Sequence, residues 1–152
     1  MASWGEFAAE QPDLAARVRE RFDVRKHKTL ATLRADGSPR ISGIEVEFAD
    51  GEIYLGMMPD SHKLNDLRRD PRLAVHSPTE DAPEGAEAGW PGEAKIAGTA
   101  RAVDFPDSPV EDGSRFAVDL TEVVLTHLND AADRLVIESW HPGRGLRSIE
   151  RT

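Results

Sequence analysis

The stretch that decides the fold is Thr29-Leu30-Ala31-Thr32-Leu33-Arg34-Ala35-Asp36-Gly37-Ser38-Pro39-Arg40-Ile41. Leu30 and Thr32 alternate with Ala31 and Leu33, the period-two pattern of a strand with two different faces. Ala35-Asp36-Gly37-Ser38 then supplies turn chemistry, because Asp bonds its own backbone locally and Gly tolerates the left-handed region. The chain therefore reverses into a second strand over Arg40–Phe48, where Ile44, Val46 and Phe48 share a face. Ala49-Asp50-Gly51 turns it again into Ile53-Tyr54-Leu55-Gly56-Met57. Two tight turns between three alternating runs predict an antiparallel meander.

Upstream, Phe7, Leu14, Val18 and Phe22 recur at helical spacing, with Pro12 suited to a first turn. This predicts an amphipathic helix over Asp13–Phe22 that caps an open end of the sheet or barrel. Downstream, Asp60 and Ser61 can cap a short helix with Leu64 and Leu67 facing inward, stopped at Asp70-Pro71. Leu73–His76 reads as a fourth strand and Lys95–Val103 as a fifth. Phe116–Leu128 and Leu135–Trp140 complete the set, the latter read as the last strand. Between them lie two turn-rich connections, Pro78–Gly92 and Pro106–Gly113. The first is expected to be a mobile loop whose Trp90 covers an aromatic ring system. Helices are too few for parallel crossovers, so the fold class is mainly β: a six- to seven-stranded antiparallel barrel forming one domain over residues 1–152.

With 152 residues the chain is of single-domain size. A formal net charge of −9 repels nucleic-acid backbones and anionic membrane surfaces, so neither is an expected partner. The absence of cysteine excludes disulfides, thiolate zinc sites and cysteine nucleophiles. No run approaches the ~20 apolar residues of a membrane span and no signal peptide opens the chain, which predicts a cytoplasmic protein. The histidines at 27, 62, 76, 127 and 141 show no metal-ligand spacing. Trp4, Trp90 and Trp140 are too scattered for a base-stacking platform.

One constellation carries chemistry. Leu55-Gly56-Met57-Met58 ends the third strand, and Ser61-His62-Lys63 opens the short helix. A helix N-terminus exposes unpaired N–H groups, and a hydroxyl and a lysine beside it suit a phosphate. Arg40, on the second strand, adds a planar fork. Glu45 and Glu47, two apart on one strand, read as the wet face of the sheet rather than an acid–base pair.

The ordered set of Thr29–Ile41, Asp50-Gly51-Glu52-Ile53-Tyr54-Leu55 and Ser61–Arg72 resembles the N-terminal half of the pyridoxamine 5'-phosphate oxidase-like, or flavin/deazaflavin oxidoreductase, superfamily. The resemblance is close from about Lys28 to Val103. It implies an FMN-binding split barrel, a homodimer with a cofactor, FMN or F420, at each subunit boundary, and hydride chemistry on a small-molecule substrate. It further implies that Arg40 and Leu55–Met58 line the isoalloxazine ring while Ser61, His62 and Lys63 lie at the cofactor phosphate. Some relatives handle haem instead, which leaves a non-catalytic binder as the alternative. The tail departs from the Arg-Leu-x-Pro ending of the oxidases proper, reading Trp140-His141-Pro142-Gly143-Arg144-Gly145-Leu146-Arg147.

Overall fold

A computed structural model describes residues 1–152. Its strands are β1 His27–Leu33, β2 Pro39–Ala49, β3 Glu52–Met57, β4 Arg72–His76, β5 Glu93–Val103, β6 Ser114–Leu128, β7 Leu135–His141 and β8 Gly145–Arg151. They form one eight-stranded sheet in the order β3-β2-β1-β4-β5-β6-β7-β8, and a β3–β6 pairing closes the first six into a barrel. The expected antiparallel barrel is present, with β7 and β8 as a hairpin extending beyond it. Leu135–Trp140 is thus not the last strand. The turn at Pro142–Arg144 sends the chain back as β8, whose mostly exposed side chains lack the apolar alternation that marks a half-buried strand.

The β1–β2 register pairs Thr32 with Arg40 and Thr29 with Gly43, and the β2–β3 register pairs Glu47 with Tyr54. Ile44 on β2 and Leu30 on β1 therefore point inward. They join Ile53, Leu55, Ile96, Val118 and Leu120 in a 24-residue buried cluster. Burial of these side chains, at ~25 cal/mol per Å² of apolar surface, is the main force holding the barrel shut.

Two helices precede the barrel, α1 Trp4–Glu10 and α2 Pro12–Asp23. α2 matches the expected helix and seats Leu14, Val18 and Phe22 in the core. α1 was not expected; its buried Trp4 and Phe7 pack on Phe48 and Trp140. α3, His62–Arg69, lies over the end of β1 and is N-capped by Ser61, whose hydroxyl accepts from the Leu64 amide at 3.3 Å. No helix is long and apolar enough to cross a membrane.

Candidate functional site

Outward-facing residues of β2, β3 and β6 form the wall of an open cleft of about 680 Å³, within the size range of small-molecule and cofactor sites. Gly43, Glu45 and Glu47 come from β2, Tyr54 and Gly56 from β3, and Arg115 from β6. Met58 and Lys63 close one side, and Phe105, Asp107, Pro109 and Val110 of the β5–β6 loop close the other. The period of two on each strand explains the lining: the side chains alternating with these are the ones that fill the barrel.

Two glycines sit on this surface. A β carbon at Gly43 would meet nothing within 4 Å, and one at Gly56 would make only ordinary contact, 3.6 Å, with the Phe105 ring. Neither has the positive φ that would demand glycine. Glycine weakens a strand interior, and where neither backbone nor neighbours require it, it marks close approach by something else. The bare strips at Gly43 and Gly56 therefore form a floor on which a flat group can lie.

Lys63 reaches across this floor from the first turn of α3 and donates to the Gly43 carbonyl at 2.8 Å. Its ammonium has three donors, so two remain for an anion. Arg115 lies opposite Gly56 in the β3–β6 register. Its guanidinium stands 4.2 Å from the Tyr54 ring centre and 5.1 Å from that of Phe105. Its Nη2 donates to the Asp104 carbonyl at 2.9 Å, while its Nε is buried with no acceptor. Glu45, which reads as wet face from sequence, lies in the cleft near Lys26 and His27 at 3.4 and 3.6 Å, and Glu47 lies beside it without an ion pair.

Of the residues singled out in the sequence, the structure brings Gly56, Met57, Met58 and Lys63 together in this cleft. Leu55 is fully buried on the inner face of β3. Ser61 is taken up as the α3 cap, and His62 is exposed at the helix start. Arg40 also points away from the cleft, and its Nε donates to Asp66 of α3 at 2.7 Å. Asp66 is 3% exposed and accepts in addition from Thr32 at 2.8 Å and Arg69 at 3.0 Å. Burial alone would raise the Asp66 carboxyl, but these hydrogen bonds outweigh it and hold the group below its ordinary range. Arg40 thus bears on Lys63 indirectly, by clamping the helix that carries it.

The loop Pro78–Gly92 contributes nothing to the cleft wall. It folds toward α2, where Trp90 Nε1 donates to the Glu80 carbonyl at 3.0 Å and Glu80 pairs with Arg21 at the same distance. The residues that sequence reasoning missed are Arg115, Phe105 and Gly43. Arg115 and Phe105 sit far along the chain from the short helix, with no local motif. Gly43 carried a signal, an isolated glycine in the middle of a strand.

The residues present suit a flat ring bearing an anionic group: a floor without side chains, aromatic and guanidinium faces, an unsatisfied buried N–H and a lysine with donors to spare. No cluster of histidine and carboxylate side chains suited to a metal ion occurs. The family model described as pyridoxamine 5'-phosphate oxidase matches residues 14–138, most of the chain. No curated protein matches it. Among solved structures, a pyridoxamine 5'-phosphate oxidase-related, FMN binding protein from Nostoc punctiforme PCC 73102 superposes with a TM-score of 0.66 at 10% identity, covering 93% of this chain and 96% of the other. A heme binding protein from Mycobacterium smegmatis gives 0.58 at 19% identity, over 91% of this chain and 58% of the other. A structure described as F420 reductase gives 0.51 at 15% identity, over 68% and 92%. At these identities the likeness establishes the shared split-barrel fold.

Proposed function

This chain belongs to the pyridoxamine 5'-phosphate oxidase family, and we propose that its cleft holds FMN or the deazaflavin F420 and that the protein is an oxidoreductase acting on a small molecule. The observation that carries this reading is the bare floor at Gly43 and Gly56 with Lys63 beside it. Lys63 binds the cofactor phosphate, and the start of α3 adds the positive end of the helix dipole. Gly43 and Gly56 let the ring approach the backbone, and Met58 and Tyr54 border it. Arg40 acts through Asp66, holding α3 so that Lys63 stays over the floor. When bound, the cofactor supplies hydride transfer, and the protein's part is binding, orientation and exclusion of water. The cleft is open opposite its sheet wall, and a second copy of the chain covers that opening in the homodimer we propose.

Gly43→Val tests this reading. Valine suits a strand, and nothing of the protein lies within 4 Å of its β carbon, so the fold should be unharmed. Cofactor binding should be abolished, because two methyl groups now stand where the ring lies. Light scattering on the same samples separates a lost dimer from a blocked floor. Full cofactor affinity in a well-folded Gly43→Val protein would sink the reading.

A second reading is favoured by His27, which lines the same cleft: a barrel that binds haem without turnover. A haem iron needs an axial ligand, and an imidazole is a common one. If this reading holds, wild type develops a sharp Soret band with haem and His27→Ala does not; an identical spectrum in the variant rules out His27 as ligand.

A further inference from the structure

Arg115 and Phe105 lie outside the sequence motifs, yet both line the cleft, with the Arg115 guanidinium 5.1 Å from the Phe105 ring centre. The guanidinium is held between Tyr54 and Phe105, and the loop carbonyl of Asp104 ties its Nη2. Its Nε–H is nevertheless sealed from solvent with nothing to accept it. A buried donor without a partner is unfavourable, and native structures retain few of them. Phe105 stands beside this guanidinium, and its ring edge lies over Gly56, directly across the β3–β6 ladder from Arg115. An aromatic side chain from a loop therefore lies against the bare backbone strip at Gly56 and beside a buried donor without a partner.

We propose that Phe105 is a placeholder for the ligand's ring and that Arg115 is the residue that reads that ring. On binding, a flat heteroaromatic group displaces Phe105 from Gly56, stacks where its ring edge lay, and offers a carbonyl oxygen or ring nitrogen on its edge to the Arg115 Nε–H. The ligand class this selects is a planar heteroaromatic with hydrogen-bond acceptors along one edge; a hydrocarbon ring of the same size leaves the donor unsatisfied. Lys63 reads the phosphate, and Arg115 reads the ring, independently of it. This assignment rests on the cofactor reading above, and it adds specificity for the ring and competition from the protein's own loop.

The test uses riboflavin beside FMN, since riboflavin has the ring and no phosphate. Phe105→Ala and the milder Phe105→Leu remove the competitor and should bind both ligands about tenfold more tightly or faster. Arg115→Gln should weaken both by about tenfold, the scale of one hydrogen bond to a charged group, whereas Lys63→Ala should weaken FMN and leave riboflavin unchanged. Without any ligand, phenylglyoxal should modify Arg115 several-fold faster in Phe105→Ala than in wild type, as peptide mass spectrometry reads it. Should wild type bind FMN while the Phe105 and Arg115 variants match it, this inference is overturned and the cofactor reading stands. An equal rate of Arg115 modification in the two proteins also overturns it. Failure of wild type and Phe105→Ala alike to bind riboflavin, FMN and F420 overturns both.

Discussion

At the scale of single residues, Lys63 and Asp66 sit one turn apart on α3 and do opposite jobs. Lys63 bonds a carbonyl at the cleft surface with donors left over, so Lys63→Ala should weaken cofactor phosphate binding roughly 10- to 100-fold while leaving thermal unfolding nearly unchanged. Titration and melting of the same sample check both halves. Asp66 is buried and is the sole side-chain acceptor given to the Arg40 Nε and the Thr32 hydroxyl. Asp66→Ala strands both donors and should cost about 3 kcal/mol of stability, seen as a lower denaturant midpoint with unaltered m. The sequence made Lys63 legible, because a lysine two residues after a helix cap is a local signal. It misplaced the weight of Arg40. Read along the strand, Arg40 looks free to bind an anion, and only the inward phase of β2, with Asp66 across the barrel end, reveals its partner. Arg115 left no trace, since its meaning comes from Tyr54 and Gly56 on β3 and from Phe105 in the β5–β6 loop, which no local motif joins.

At the scale of elements, α2 is fastened to the β7 extension by Arg17, which donates to both oxygens of Glu138 at 2.6 and 2.9 Å, with His127 adding a contact at 2.8 Å. The Arg17 hydrogen bonds hold the Glu138 carboxyl below its ordinary range, against the burial that would raise it. A carboxylate with a depressed folded value stabilises the protein above its unfolded pKa, about 4.3, and loses that contribution as pH falls through the lower folded value. The acid limb of the stability profile should therefore be shallower in Glu138→Gln. At neutral pH the variant should lose about 1–2 kcal/mol, less than for a fully buried pair because Arg17 is partly screened by solvent. The β5–β6 ladder carries a bulge between Ala97 and Gly98, where a β carbon on Gly98 would collide with the Asp119 carbonyl. Gly98→Ala should consequently destabilise by about 2 kcal/mol or more, and a melt within a degree of wild type would contradict that account. Strands with apolar alternation were legible to within a residue or two. The two unexpected elements lacked that signal. β8 is wet along nearly its whole length, and α1 spans only Trp4–Glu10, although Ser3 and Glu6 form a capping pair whose spacing was there to be read.

At the scale of the whole molecule, the closed barrel places the outer faces of β2, β3 and β6 side by side, and so brings the β2–β3 hairpin and the distant β6 into one cleft. The fold was legible because hairpins and alternation are local; the cleft was legible only in the part that the β3–α3 segment supplies. A net charge of −9 with Lys63 and Arg115 in the cleft argues for a small anionic ligand held locally rather than a polyanionic partner. The ligand we propose for this cleft is a phosphate-bearing flavin or deazaflavin. The measurement that tests it most directly is a parallel absorbance and fluorescence titration of ligand-free protein with FMN, F420 and haem. Saturable binding of FMN or F420 at one per chain, with a perturbed ring spectrum, is the expected result; absence of saturable binding by both would overturn the flavin reading of the cleft.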